Sequence, residues 1–294
     1  MTDGLSHWLE LREPADFAAR SMKLTRAIAR ALSTDEPLSF LDLGAGTGSN
    51  IRYLAEQLSP EQRWLAVDRD ATLLTELSTR MSSWAAERGL RTHLQNGGCT
   101  IRGVNFDCHV ETQKRDLCVL EDHDIFAGRR LVTASALLDL VSESWLRALA
   151  AHCHAESAVV LFTITYNGHF TCRPAEAEDE MVRELMNRHQ NTDKGLGGPA
   201  AGPDATACAE RCFAAIEYRV SREPSDWVLG PGESDVQQAL IEGWAEAAAA
   251  MAPDQAPTIA DWRARRLDHV SAGRSRIVVG HEDLAAWPPG VAGL

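Results

Sequence analysis

Residues 38–50 of the chain read LSFLDLGAGTGSN, and this stretch decides the fold. The apolar run Leu38–Leu43 predicts a short buried strand, and the pattern from Asn50 to Leu58 predicts a helix. Three glycines lie between them and predict a tight turn. Glycines let the backbone approach a ligand closely, and a helix N-terminus offers free N–H groups. The order strand, glycine turn, helix therefore predicts the opening of a nucleotide-binding α/β fold.

The spacing of the glycines distinguishes between nucleotide ligands. A dinucleotide fingerprint, G-x-G-x-x-G, requires a final glycine where this chain has Ser49. The chain instead has D-x-G-x-G-x-G beginning at Asp42, which resembles motif I of the class I S-adenosylmethionine (SAM)-dependent methyltransferases. The run Trp64–Asp68 predicts the next strand, ending in an acid whose two oxygens suit the ribose hydroxyls. A glycine turn without a ligand is the alternative.

The resemblance is specific over Leu38–Asp68 and looser over most of the chain. It implies an α/β fold with a Rossmann-like, seven-stranded, mostly parallel sheet, an antiparallel last strand and helices on both faces. We expect a single domain over residues 1–294, with an N-terminal helical lid (1–35), a SAM-binding half (36–166) and a substrate-side half (167–294). Glycines within Thr92–Val110 predict a hairpin-like addition.

The resemblance also implies a set of cofactor contacts. Asp116 and Leu117 match the segment that binds adenine in the family, although Asp116 also fits a surface loop. Arg20, on a predicted lid helix, would pair with the SAM carboxylate, or it is a solvated arginine on an amphipathic helix. The implied cofactor-binding residues are Arg20, Asp42, Gly44, Ala45, Gly46, Asn50, Asp68, Arg69, Asp116, Leu117, Ser135 and Ala136.

Candidate catalytic residues follow the predicted fourth and fifth strands. Ligands of open α/β sheets lie beyond the carboxyl ends of the strands. Asp139 occupies the position of motif IV without the N-P-P-[YF] tetrapeptide, and it could instead cap the helix predicted over Glu143–His152. Tyr166 and His169 follow the fifth strand, where a hydroxyl could aim at a nucleophile and an imidazole could take a proton.

A long polar loop, His189–Pro203, is rich in glycine and proline. Loops of this length are usually functional or disordered, and we favour a substrate lid over disorder. The residues that we expect to contact the acceptor are Trp145, Tyr166, His189, Asp193 and Lys194.

Composition limits the partners. The formal net charge of −13 disfavours nucleic acid, whose phosphates would be repelled. No apolar run is long enough to cross a membrane and no signal peptide is evident, so we expect a cytoplasmic location. The seven cysteines are odd in number and lack a C-x-x-C pair, which favours reduced thiols and no bound metal.

The sequence therefore predicts a SAM-dependent methyltransferase acting on a small molecule. The absence of an unmistakable general base favours an amine or thioether acceptor. A SAM-binding sensor or assembly protein without catalysis is one alternative, and a protein methyltransferase is another.

Overall fold

A computed structural model describes residues 2–33, 37–58, 60–118, 120–121 and 123–291. The ends of the expected lid (Met1 and residues 34–35) lie outside them. Over the described residues, strands assemble into one sheet with the bounds β1 Leu38–Leu43, β2 Glu61–Asp68, β3 Arg91–Gln95, β4 Gly98–Gly103, β5 Phe106–Lys114, β6 Leu131–Ser135, β7 Val159–Arg173, β8 Arg219–Pro224, β9 Trp227–Leu229 and β10 Arg276–Trp287.

The strand order is β3-β4-β5-β2-β1-β6-β7-β10-β8, with β9 pairing to β10. The central strands β5, β2, β1, β6 and β7 pair in parallel, whereas β10 is antiparallel to both β7 and β8. The predicted Rossmann-like sheet with an antiparallel last strand is confirmed. The described sheet has ten strands rather than seven, because the β3–β4 hairpin extends one edge and the short β9 is added at the other.

Helices cover both faces of this sheet. Their bounds are α1 Thr2–Ala19, α2 Met22–Ala31, α3 Ser49–Ala55, α4 Ala71–Glu87, α5 Glu143–Ala155, α6 Asp179–Gln190, α7 Ala205–Ala214, α8 Ser234–Met251 and α9 Ala256–Ser271. No described helix combines the length and apolarity needed to cross a bilayer.

Alternation along β1 shows how the two faces are built. Leu41 and Leu43 pack into a core with α5 and α7, whereas Leu38 and Phe40 pack into a second core with α2, α3 and α4. Successive strand residues point to opposite faces, so a six-residue strand contributes to both cores. Both faces of the central sheet are thus buried, as parallel sheets require.

Strands β7 and β10 are longer than the sequence predicted. The predicted bounds were Ala158–Tyr166 for β7 and Arg276–Gly280 for β10. The two strands pair with each other from Val160↔Ala286 to Arg173↔Arg276, well beyond the parallel ladder. Their extension supports a third core with α6, α8 and α9. This core stands next to the carboxyl ends of the parallel strands, where it forms a wall of the candidate site.

One buried carboxylate joins three of these elements. Asp283 on β10, only 1% exposed, accepts hydrogen bonds from the backbone N–H of Ser21 and of Ile164, both at 2.8 Å. Ser21 is the N-cap of α2, and Ile164 lies on β7 with φ +55°. A β-branched residue rarely adopts this left-handed conformation. The Asp283 carboxylate therefore fixes the start of α2 and a strained point of β7 together.

We predict that Asp283→Ala lowers the free energy of unfolding by about 2–5 kcal/mol, because each of two N–H groups loses its acceptor. Asp283→Asn retains one acceptor oxygen and should lose less. Urea denaturation followed by circular dichroism measures both variants. An alanine variant as stable as the unsubstituted protein would refute this role.

Candidate cofactor and acceptor sites

The glycine loop connects β1 to α3 in a left-handed conformation. Gly46 and Gly48 have φ values of +52° and +80°, and a Cβ on Gly48 would lie 2.7 Å from Leu77 Cγ. The loop is fastened to β2, because Gly46 N–H donates to Asp68 Oδ2 at 2.9 Å and Ala45 N–H donates to Val67 O at 3.0 Å. Glycine is required here by both conformation and close packing.

A chain of buried polar groups lies directly behind this loop. Arg20 donates to Asn50 Oδ1 at 2.6 Å, and Asn50 Nδ2 donates to Asp42 Oδ1 at 2.6 Å. A second Arg20 nitrogen donates to Ser135 Oγ at 3.1 Å. Arg20 is 5% exposed and Asp42 is fully buried. The structure thus brings four residues of the predicted cofactor set into one cluster. They come from the segment before α2, from β1, from α3 and from β6.

Two atoms of the cluster have no hydrogen-bond partner among the described residues, namely Arg20 Nε and Asp42 Oδ2. Burial raises the pKa of Asp42 to about 7, against the lowering effect of the Asn50 hydrogen bond and the Arg20 charge. Buried polar atoms normally find partners. A zwitterionic aminoacyl group supplies a carboxylate for the guanidinium and an ammonium for Asp42, so these residues fit the methionine end of SAM.

The positions predicted for ribose and adenine lie at the ends of β2 and β5. Asp68 is half-buried, and its second carboxylate oxygen accepts from Asp70 N–H at 2.9 Å. Asp116 is exposed and accepts from Cys118 N–H at 3.0 Å, while Leu117 is buried. Arg69 is exposed beside Asp68.

Trp145 has a different place from the one the sequence predicted. It is 3% exposed on α5, and its indole N–H donates to Leu117 O at 2.6 Å. It therefore packs in the core behind the predicted adenine segment and is absent from the lining of the large cavity described below. Its contacts support the cofactor side of the site rather than the acceptor side.

The N-terminal helix α1 lies across the glycine loop. Leu9 Cδ1 is 3.1 Å from the position that a Cβ on Gly46 would occupy. Glu13 forms a two-bond ion pair with the buried Arg52 of α3, at 2.9 and 2.5 Å. Ser6 and Glu10 reach α4 through Glu76 and Arg80. The helix therefore covers the glycine loop and contacts both α3 and α4.

A cavity of about 860 Å³ opens beside the polar cluster. It is bounded by α1, the turn after β6, β7, α6, α8 and β10. Ala136, which follows Ser135 of the cluster, lines the cavity. Asp139, three residues further along the chain, also lines it. Residues 135–139 thus run from the predicted cofactor site to the cavity wall.

Asp139 lies in a 3₁₀ turn and is 7% exposed. Among the described residues, no other side chain forms a hydrogen bond or ion pair with its carboxylate. Burial is the main cause that raises the pKa of Asp139 to about 6, while a hydrogen bond with its own backbone and the charges of Arg12 and Lys194 act in the opposite direction. It does not cap α5, because Ser142 Oγ accepts from Trp145 N–H at 3.2 Å and is the N-cap.

The two other predicted catalytic residues fall on opposite sides of β7. Tyr166 is buried, lines the cavity and donates its hydroxyl to Asn187 Oδ1 at 2.9 Å. Burial raises the pKa of this hydroxyl. His169 is exposed and does not line the cavity, since an odd separation along a strand reverses the face.

The loop 189–203 is folded against the segment after Asp139. Ser142 N–H donates to Leu196 O at 3.1 Å, and Ala201 N–H donates to Val141 O at 2.8 Å. His189 lines the cavity. Lys194 Nζ donates to His189 O at 2.9 Å, and Asp193 is exposed and accepts from Gly195 N–H at 2.7 Å. Of the three predicted loop contacts, only His189 reaches the cavity wall.

Several residues that line the cavity were not predicted from the sequence. His281 on β10 is 5% exposed, its Nδ1 has no partner among the described residues, and burial lowers its pKa to about 3. The only sequence signal was a histidine within an apolar strand. The aromatic and charged residues among the others are Trp8, Arg12, Trp227, Trp244, Glu242 and Glu246.

Comparison with known proteins gives structural similarity alone. No protein-family model matches the chain, and no curated protein matches it. The YcgJ protein of Bacillus subtilis aligns with 13% identity and a TM-score of 0.46, covering 90% of this chain and 98% of its own. The cyclopropane synthase MmaA2 of Mycobacterium tuberculosis aligns with 12% identity and a TM-score of 0.43, covering 89% and 82%. The [4+2]-cyclase SpnF aligns with 14% identity and a TM-score of 0.41, covering 98% and 97%.

The chain's own strand order and glycine loop define the class of its fold. The central order β5-β2-β1-β6-β7-β10-β8, with β10 reversed, is a Rossmann-like arrangement, and it agrees with the fold that the sequence resemblance implies. The glycine loop lies at the carboxyl end of β1, where ligands of such sheets bind.

The buried Asp139 carboxylate yields a pH prediction. Its folded pKa of about 6 lies above its ordinary value, so the folded protein holds this proton more tightly than the unfolded chain. The stability that this group contributes is present at low pH and is lost as the pH rises from about 4 towards 6.

Asp139→Asn should therefore gain stability relative to the unsubstituted protein as the pH rises across this interval. The gain is about 3 kcal/mol at most, at about 1.4 kcal/mol for each pH unit between the two pKa values. Urea denaturation at a series of pH values measures it, and Asp261→Asn on the exposed face of α9 controls for net charge. A stability difference that does not change with pH would show that Asp139 ionises normally.

Proposed function

We propose that this protein binds SAM at the glycine loop and transfers its methyl group to a small molecule held in the adjacent cavity. The observation that carries the proposal is the Arg20–Asn50–Asp42 chain, with one unpartnered atom at each end, directly behind a left-handed glycine loop. This arrangement suits a zwitterion attached to a nucleoside.

The residues around the loop hold the cofactor. Arg20 binds its carboxylate, Asp42 binds its α-ammonium, and Asp68 accepts from the ribose hydroxyls. Leu117 and Asp116 receive the adenine, with Trp145 fixing the backbone of this segment. When bound, the cofactor supplies an electrophilic methyl group on a positively charged sulfur.

The remaining task of the protein is to position the acceptor. The turn 135–139 joins the two sites, so an acceptor at Asp139 lies beside the cofactor pocket rather than in a separate chamber. Holding reactants in line at about 3 Å supplies much of the acceleration of a displacement. A cavity of about 860 Å³ suits a small molecule, and we favour an amine or thioether acceptor.

Calorimetry with S-adenosylhomocysteine tests the cofactor site. Asp68→Ala should weaken binding by about 1.5–3 kcal/mol for each charge-assisted bond that it removes. Asp261→Ala, an exposed aspartate on α9, is the matched control and should bind normally. Equal affinity of the two variants would refute the assignment of Asp68.

The raised pKa of Asp42 gives a second prediction. The α-ammonium is attracted to the ionised carboxylate, which predominates only above about pH 7 in the free protein. Affinity for S-adenosylhomocysteine should therefore rise as the pH rises through 7, and Asp42→Asn should abolish this rise. Calorimetric titrations across this interval check it; a pH-independent affinity of the unsubstituted protein contradicts the ion pair.

Transfer itself is tested with methyl-labelled SAM and a small-molecule extract. Label appearing in an extracted metabolite supports methyl transfer. Binding without any labelled product favours the sensor alternative, and label in protein favours a protein acceptor.

A further inference from the structure

We propose that the acceptor is an amine, that it enters the cavity as its ammonium form, and that the Asp139 carboxylate receives it. The inference deepens the proposed function by naming the acceptor class. It begins with a carboxylate that is nearly buried, faces a cavity and forms no ion pair among the described residues.

The cations nearest to Asp139 are engaged elsewhere. Arg12 donates two hydrogen bonds to Asp16, at 3.0 and 3.1 Å, and its guanidinium lies over the rings of Trp8 and Trp227. Lys194 Nζ donates to the carbonyl of His189. A buried carboxylate without an oppositely charged partner is costly, and a cation bound in the cavity would reduce that cost.

The rest of the charge around the cavity has the same sign. Glu242 and Glu246 lie one helical turn apart on α8, and both line the cavity from its exposed side. His281 adds no positive charge, because burial lowers its pKa to about 3. Three carboxylates outnumber the two nearby cations, Arg12, which is paired with Asp16, and Lys194, which does not line the cavity. The resulting negative field attracts a cation and repels a carboxylate or phosphate.

The walls between these charges are apolar or aromatic. Trp244 is 4% exposed and stacks on Phe170 with 4.0 Å between ring centroids, which fixes its orientation. Tyr166 and Ile164 form the opposite wall on β7. Such surfaces bury the hydrocarbon body of a ligand, and aromatic faces also attract an ammonium group.

After the ammonium form has bound, Asp139 acts as the base that deprotonates it. An ammonium nitrogen has no lone pair and cannot act as a nucleophile. Transfer of one proton to an Asp139 oxygen breaks an N–H bond, forms an O–H bond and leaves the electron pair on nitrogen. A carboxylate with a pKa of about 6 is better suited to accept this proton near neutral pH than an ordinary aspartate.

The pH behaviour depends on all charged or titratable groups around the cavity. These are Arg12 on α1, Tyr166 on β7, Arg183 and His189 on α6, Lys194 on the following loop, Glu242 and Glu246 on α8, and His281 on β10.

Three probes of similar shape and different charge test the proposal: phenethylamine, 2-phenylethanol and 3-phenylpropionate, titrated calorimetrically into the full chain. We expect the amine to bind about tenfold more tightly than the alcohol, which corresponds to about 1.4 kcal/mol for one ion pair. The carboxylate should bind most weakly. Asp139→Asn should remove the preference for the amine and leave the alcohol unaffected, whereas Asp261→Asn should retain the preference.

A second measurement does not depend on the variant. Affinity of the unsubstituted protein for phenethylamine should rise as the pH rises through about 6, where Asp139 ionises. Equal binding of amine and alcohol, tighter binding of the carboxylate, or no saturable amine binding overturns the proposal. So does an Asp139→Asn variant that keeps the full preference.

Titration of S-adenosylhomocysteine into the same samples separates this proposal from the proposed function. If S-adenosylhomocysteine binds but the amine is not preferred, only the assignment of an amine acceptor is refuted. A preference for the amine without binding of S-adenosylhomocysteine would refute the proposed methyl transfer. The cavity would then still be an ammonium-binding site.

Discussion

The hydrogen-bonded chain from Arg20 through Asn50 to Asp42 is the constraint on which the site depends. It links the segment before α2, the first turn of α3 and the interior of β1, so it fixes the glycine loop between fully buried groups. Burial raises the pKa of Asp42 to about 7, so the buried site disfavours the ionised form of this carboxylate. The same is true of Asp139 across the turn at residues 135–139. A positively charged ligand group beside either carboxylate would stabilise its ionised form.

The antiparallel ribbon of β7 and β10 explains the size of the proposed acceptor cavity. A central parallel strand usually ends near the plane of the ligand, but β7 continues to Arg173. The extension carries α6, α8 and α9 past the end of the sheet, and α6 and α8 become walls. Asp283 holds the point where the strand changes from the parallel ladder to the ribbon, at the left-handed Ile164.

Local patterns in the sequence were sufficient for the first part of the site. The glycine loop, β1 and the acid ending β2 are encoded within about thirty residues. The structure has β1 at the predicted residues and ends β2 at Asp68 as predicted, but it begins β2 at Glu61 rather than Trp64. The end of β7 was predicted too early, although burial alternates there, with Gly168, Phe170 and Cys172 inside and His169 and Thr171 outside. That alternation is typical of a strand and also places His169 on the solvent side.

The acceptor cavity could not be predicted in the same way. Its walls bring together Trp8, Asp139, Tyr166, Trp244 and His281, which are far apart in the chain and share no local motif. Only strand pairing and helix packing make them neighbours. Trp145 is close to Asp139 in sequence, yet it packs in the core, donates its indole N–H to Leu117 O and does not line the cavity.

The helix α1 contacts both the glycine loop and the cavity. Leu9 covers the glycine loop, while its neighbour Trp8 and, one turn later, Arg12 line the acceptor cavity. Because these residues belong to one helix, a displacement that opens one compartment changes the wall of the other. A ligand that shifts α1 must then alter the affinity of the second compartment, and by reciprocity the second ligand must alter the first by the same factor. Titrating each ligand in the presence and absence of the other gives that factor, and a value of one would show that α1 transmits nothing between them.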